Sequence, residues 1–179
     1  MSRTVFHLVR KLDERPSLTP IAGVSLRNFA GPQDIDAWLQ IRRRAFQDET
    51  LSVRDWMAQD FAAEMTSKPW WSPKHLWFAE TALPDADSRH AVGAVALAMR
   101  KAQRAPAERP PDGGVQNDCG VPVVHWLMVL PEWRRRGVGR LLLAALETAC
   151  WDAGYRQIAL ETHTAWWAAA AFYRSMGYS

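Results

Sequence analysis

Apolar and polar positions change period several times along the chain, and each change marks an element. Thr4 to Val9 has the short apolar run of a strand, whereas Asp13 to Gly23, with Pro16, Pro20 and Gly23, reads as an arm or linker. Val24 to Phe29 alternates Val24 and Leu26 with Ser25 and Arg27, as a half-buried strand does, until Gly31-Pro32 breaks it. The spacing of Ile35, Trp38, Leu39, Ile41, Arg42, Ala45 and Phe46 predicts a helix with Pro32 near its start. A second helix is expected from Val53 to about Met65, with Ser52 as N-cap and Trp56, Met57, Asp60, Phe61 and Glu64 at helical spacing. Lys68-Pro69-Trp70-Trp71-Ser72-Pro73 ends it.

Leu76 to Glu80 and Ala91 to Met99 read as strands, joined by Leu83-Pro84 and a mostly polar stretch from Asp85 to Arg89. Residues 101–120 carry Pro106, Pro110, Pro111, Gly113, Gly114 and Gly120 and are expected to form a long flexible loop. Val121 to Val129 is apolar on both faces, with Val123, Leu127 and Val129 directed one way and Val124, Trp126 and Met128 the other. That is the signature of a central strand, and His125 interrupts it. A strongly periodic helix follows, with Val138, Leu142, Ala145, Leu146 and Ala149 on one stripe, closed by Gly154. Ile158 to Glu161 is a short strand and Ala165 to Met176 a final helix. From Val24 the order is β, α, α, β, β, β, α, β, α, an α/β fold around a mixed sheet.

With 179 residues, the chain suits one domain, read as residues 23–179 behind an N-terminal arm of residues 1–22. The formal charge of +3, from 22 basic and 19 acidic side chains, gives no indication of nucleic acid. Two cysteines without metal-type spacing point to a reducing compartment and to no metal. No run approaches 18 apolar residues, so a cytoplasmic protein without a membrane span is expected. The ten tryptophans are the compositional oddity, because Phe and Tyr, at six and three, would each normally outnumber them.

Chemistry concentrates where the central strand runs into Leu130-Pro131-Glu132-Trp133-Arg134-Arg135-Arg136-Gly137-Val138-Gly139 and then a helix. Free N-terminal amides and the positive end of the helix dipole converge at such a turn, Gly137 and Gly139 allow close approach, and Arg134, Arg135, Arg136 and Arg140 surround it. A diphosphate could be met by backbone and guanidinium donors together. Neither a P-loop nor a Gly-x-Gly-x-x-Gly fingerprint is present. The pattern Arg134-x-x-Gly137-x-Gly139, preceded by Val129-x-Pro131-Glu132 and followed by Leu142-Leu143, resembles the acetyl-CoA loop of the GNAT superfamily of N-acetyltransferases. A second motif, Leu160-Glu161 and then Ala170-Ala171-Phe172-Tyr173-Arg174-Ser175-Met176-Gly177-Tyr178, is similar to the family's Ala-x-x-Tyr-x-x-x-Gly-aromatic ending.

The resemblance implies a sheet whose central strands splay apart around acetyl-CoA, with the pantetheine along the backbone of Leu127, Met128 and Val129 and the diphosphate at Arg134 to Arg140, Val138 included. It implies Tyr173 as the acid toward the departing thiolate and Glu161 as a base for the amine. His125, an isolated imidazole on an apolar strand, is the rival base. Trp166 stands where many members have a cofactor-contacting Asn. The family normally adds two strands after the Gly-aromatic ending, whereas this chain stops at Ser179. An exposed edge there would favour pairing with a second copy, as a homodimer, or with the N-terminal segment. Trp70, Trp71 and Trp166 would wall the site of a small-molecule or peptide amine with an apolar, aromatic or cationic character. The expected activity is direct acetyl transfer from acetyl-CoA to a primary amine in a ternary complex. The alternative is a CoA-binding or regulatory module without transfer activity.

Overall fold

The computed structural model describes residues 5–47, 54–83, 86–101 and 120–179. Its strands are β1 (Val5–Lys11), β2 (Val24–Asn28), β3 (Leu76–Leu83), β4 (Ala86–Arg100), β5 (Val121–Val129) and β6 (Gln157–His163). They form one mixed sheet in the order β1-β6-β5-β4-β3-β2, antiparallel throughout except for the parallel pair β5 and β6. The helices are α1 (Gln33–Phe46), the single turn α2 (Ala58–Phe61), α3 (Val138–Asp152) and α4 (Trp167–Ser175). This is the mixed α/β architecture expected from the order of elements.

The two faces of the sheet are covered differently. A side chain on Gly93 of β4 would place its Cβ 3.0 Å from Leu142 and 3.3 Å from Val138, so α3 lies against that face with no space to spare. Leu142, Leu143 and Leu146 of α3 are fully buried there, as the apolar stripe requires. α4 packs beside α3, its Phe172 ring lying where a Cβ on Gly139 would touch it. On the other face α1 brings Trp38 and Phe46 onto Trp126 of β5.

The second helix and the extents of β3 and β4 differ from the sequence reading. Ser52 and Val53 lie outside the described residues, and the helix observed begins only at Ala58. Asp60 accepts the Met57 N–H at 2.8 Å and holds Arg54 at 2.7 Å, which fixes that start, and a π-helical turn continues it over Ala62–Thr66. β3 and β4 extend to Leu83 and back to Ala86, across residues read as a polar connection, because ladder pairing continues past the apolar alternation. The long loop expected at 101–120 lies, but for its first and last residues, outside the described residues.

At the N-terminus the short strand read from Thr4 to Val9 is present, and it joins the main sheet instead of standing apart in an arm. β1 pairs with β6 from Val5↔His163 to Lys11↔Gln157, and Leu8 and Leu12 join the core. On its other side, Val9 and Ser179 exchange two backbone hydrogen bonds of 2.9 and 3.0 Å. Arg10 of β1 donates to both oxygens of Glu147 on α3, at 2.8 and 2.7 Å, while the Tyr178 hydroxyl donates to the same carboxylate at 2.9 Å. Glu147 is 1% exposed, so this triad closes a buried polar site between strand, helix and C-terminal residues. The pairing with the N-terminal segment, one of the two outcomes foreseen for that edge, is the one observed.

Candidate active site

β5 and β6 are paired only at Val123↔Ala159 and Val124↔Leu160. Beyond that point they separate, and the β6-facing backbone of Leu127, Met128 and Val129 has no ladder partner among the described residues. The same strand stays attached to β4 through Met128↔Ala94 and Val129↔Gly93. A β-strand with one paired and one open edge can accept the amides of an extended ligand as a further strand would.

The open edge leads into a turn with two left-handed residues, Arg135 (φ 63°) and Gly137 (φ 87°). Gly137 is the N-cap of α3 and satisfies the positive φ at no steric cost. No side chain caps α3, and its first turn carries no acidic residue, so the leading amides and the helix dipole remain available to an anion. The arginines around the turn are divided. Arg134 is occupied, its Nη2 donating to the Ala45 carbonyl at 2.6 Å and its Nε to the Val129 carbonyl at 3.3 Å, which tie the turn to α1. Arg136 lies over the Trp133 ring at 5.2 Å, and Arg140 reaches Met176 Sδ and Ser175 Oγ beyond α4. Arg135, Arg136 and Arg140 are exposed on and after this turn.

Tyr173 lies on α4 against Phe172 and Tyr178, at ring separations of 5.4 and 5.8 Å, and burial raises its pKa further above the usual phenol value. Its phenol is therefore protonated throughout the neutral range, as a proton donor must be. Glu161 follows Leu160 immediately, at the point where β6 leaves β5. Its carboxylate accepts from Arg100 and lies 3.2 Å from His7 Nδ1, a residue of the inserted strand β1.

His125 occupies a different setting from the one its alternation predicts. Between Ala94 and Ala96 of β4 the β5 partners run from Met128 to His125, so β5 holds one extra residue. That bulge puts Trp126 at φ 49° and breaks the alternation of faces. His125 and Trp126 consequently stand side by side with rings 5.4 Å apart, where a regular strand would point them in opposite directions. His125 also meets Trp70 at 6.1 Å, and burial pushes its pKa down to about 4, the charges of Glu64 and Lys68 contributing less.

The tryptophans around it form a continuous wall. Trp126 touches Trp38, Trp56 and Phe46, Trp166 leans on Phe46 at 5.3 Å, and Trp71 meets Phe29 and Phe61. Trp70, Trp71 and Trp166 are thus brought toward one aromatic face, to which the fully buried Trp38 and the half-buried Trp56 also belong. Arg42 is the residue to which the sequence assigns no site role. Within the triplet Arg42-Arg43-Arg44 only Arg43 and Arg44 are exposed. Arg42 is 3% exposed, one turn after Trp38 on the stripe completed by Ile41 and Ala45. That helical period was the available signal.

A parallel strand pair that parts above an uncapped helix N-terminus leaves an open strand edge and free backbone amides at one end of the sheet. The Acetyltransferase (GNAT) domain family matches residues 73–179, more than half of the sequence. The chain belongs to that family. It is 29% identical to the mycothiol acetyltransferase of Cellulomonas flavigena over 164 residues, covering 92% of this chain and 42% of that protein. It is also 29% identical to the mycothiol acetyltransferase of Thermobispora bispora over 171 residues, covering 92% of this chain and 52% of that one. The chain thus spans about half the length of the curated relatives it matches. Among solved structures, a GCN5-related N-acetyltransferase from Sphaerobacter thermophilus superposes with a TM-score of 0.63 at 18% identity, over 88% of this chain and 42% of that one. The aminoglycoside N-acetyltransferase AAC(6')-Iy, in complex with a CoA bisubstrate analogue, superposes with a TM-score of 0.55 at 18% identity, over 86% and 89%. Those structures share the fold. No helix among the described residues is long and apolar enough to cross a membrane.

Proposed function

We propose that the chain transfers an acetyl group from acetyl-CoA to the primary amine of a small-molecule or peptide acceptor, by direct attack in a ternary complex. The observation that carries this reading is the parting of β5 from β6 after Val124 and Leu160, directly above the uncapped start of α3. Acetyl-CoA supplies the activated acetyl thioester. The residues present fit it: the open edge of Leu127 to Val129 offers backbone groups to the pantetheine amides, and the amides of Val138, Gly139 and Arg140 with Arg135 and Arg136 offer donors to the diphosphate.

Tyr173 holds its proton at Oη and gives it to the leaving sulfur. Glu161 is the better base of the two candidates. A general base works best with a pKa near the operating pH, and an imidazole pushed down to about 4 by burial retains little affinity for a proton. His125 therefore serves as a neutral hydrogen-bonding group beside the amine, while Glu161 takes the proton directly or through water. Cys150 is no nucleophile, because it is fully buried and burial pushes its thiol up to about 12.

A relative named for mycothiol and a fold neighbour named for aminoglycosides favour a small-molecule acceptor over a peptide. Acetyl-CoA is expected to raise the thermal midpoint of the protein. Gly137→Glu should remove the effect, because a side chain at φ 87° meets Ile21 at 3.2 Å and adds a negative charge at the anion seat. No shift with the unmodified protein would end the cofactor assignment. Binding of CoA without thiol release across an amine panel would instead support a binding module.

A further inference from the structure

Arg42 is a buried cation with no carboxylate hydrogen-bonded to it among the described residues. Its guanidinium lies over two indoles, 4.2 Å from the Trp56 ring centre and 5.1 Å from that of Trp126. Of its five N–H donors, the described structure uses one, from Nη1 to the Arg54 carbonyl at 2.8 Å. Nε is buried with no partner. The described acidic residues whose charge acts on it pair with other arginines, Asp55 with Arg43 at 3.4 Å and Asp60 with Arg54 at 2.7 Å. Desolvation accordingly lowers the Arg42 pKa to about 10.

The groups around it deepen the imbalance. The indole N–H groups of Trp38 and Trp126 are also buried without partners, and so is that of Trp166, one ring further along through Phe46. All four unpartnered atoms are donors, and no unpartnered buried acceptor stands among them. Buried donors are nearly always satisfied, so such a group is the imprint of an acceptor that binds there. Trp126 adds a second sign. It is a bulky residue held at φ 49°, the kind of backbone strain that clusters at ligand sites. Its ring is 5.4 Å from that of His125, the residue proposed above to stand beside the amine.

We infer that the acceptor amine carries an anionic oxygen group, a carboxylate or a phosphate, seated on Arg42 Nε and the indole N–H groups of Trp126 and Trp38. The inference rests on the acetyl-transfer reading for the role of the amine, whereas the anion seat rests on the unpartnered donors around Arg42. A cationic acceptor, admitted by the aromatic wall, would meet the like charge of Arg42 in a medium that screens it poorly. An apolar one would leave every donor unpaired.

The test uses 15N-labelled protein in excess CoA, with the indole signals assigned from Trp126→Phe and Trp38→Phe. The probes are L-phenylalanine, L-phenylalaninamide, 2-phenylethylamine and O-phosphoethanolamine. The anionic probes should shift the Trp126 and Trp38 signals saturably, while the amide and the decarboxylated amine leave them unmoved. A response to O-phosphoethanolamine alone assigns the seat to phosphate, and one to L-phenylalanine alone assigns it to carboxylate. Arg42→Gln should weaken that binding by about tenfold or more, the scale of one lost charge-assisted hydrogen bond. Arg42→Lys, which keeps the charge without the fork, should fall between. Equal shifts from charged and uncharged probes, no shift from any anionic probe, or affinities for both variants within about twofold of the original would overturn the proposal. Indole shifts without thiol release would uphold the seat and sink the transfer reading, so the two failures are distinguishable.

Discussion

Replacing Arg10 by Met tests whether the N-terminal strand is an integral part of the domain. Arg10 makes both guanidinium hydrogen bonds to Glu147, whose side chain is 1% exposed, and the substitution leaves that carboxylate with the Tyr178 hydroxyl alone. Breaking one side of a buried pair costs about 3–5 kcal/mol, because the remaining charge stays desolvated. Burial already raises the Glu147 pKa against the opposing pull of Arg10, so losing Arg10 raises it further. A carboxyl whose folded pKa is raised binds its proton more readily in the native state than in the unfolded chain. Stability therefore falls as pH rises through that folded value, and the cost of Arg10→Met grows from acidic toward neutral pH.

Urea denaturation at pH 5.5 and pH 7.5 reads this directly. The double variant Arg10→Met/Glu147→Gln removes the stranded charge while keeping an oxygen for Tyr178. It should recover more than half of the loss at neutral pH. If Arg10→Met alone costs less than about 0.5 kcal/mol, the typical range for an unimportant surface site, then β1 is not held as described. A double variant no more stable than the single one would also refute the stranded-charge argument.

Three further outcomes follow from other parts of the structure. Neutral His125 is protonated in the unfolded chain below about pH 6.5 and resists protonation in the native state down to about 4, so stability should fall with acidification across that window by up to about 3 kcal/mol. His125→Asn should flatten that limb in thermal melts, and an unchanged acid limb would contradict the burial of the imidazole. Gly93→Val should destabilise by about 1–3 kcal/mol, since its Cβ would stand 2.9 Å from the Met128 carbonyl and 3.0 Å from Leu142, with backbone on one side and a packed helix on the other; a neutral melt would show that α3 can withdraw. Tyr173→Phe should lower turnover far more than CoA affinity, and equal turnover of the two proteins would remove the phenol from the acid role.

The parts of the fold that were legible in the chain are those written in local period. The stripe of α3, the two-sided apolar run of β5 and the glycine turn between them stand in the structure at nearly the residues that predict them, because each is fixed by its own neighbours. Non-local pairings were harder. The strand at Thr4 to Val9 was legible, but the bond of Arg10 to Glu147, 137 residues away, is announced by nothing in the spacing of either. The β5 bulge adds one residue to a strand without changing its composition, so alternation assigned His125 and Trp126 to opposite faces when they share one. Arg42 was hidden by its neighbours Arg43 and Arg44, since a charge run reads as solvent-facing unless the helical stripe is followed through it.

That one bulge binds the two halves of the site together. β5 remains laddered to β4 while it leaves Leu127 to Val129 unpaired on the β6 side and brings Trp126 against α1. A regular strand would give Trp126 to the face opposite His125 and divide the aromatic wall. The extra residue instead costs strain at φ 49°, about 1–3 kcal/mol for a bulky residue outside its usual region. Against this stand the contacts of the Trp126 ring with Trp38, Trp56, Phe46 and the Arg42 guanidinium, and removing a packed tryptophan typically costs about 3–5 kcal/mol. Packing outweighs strain, so the bulge is held without any ligand. The open strand edge and the donor-lined wall are consequently both formed before a cosubstrate or acceptor arrives, and binding at either need not supply the energy to build the other.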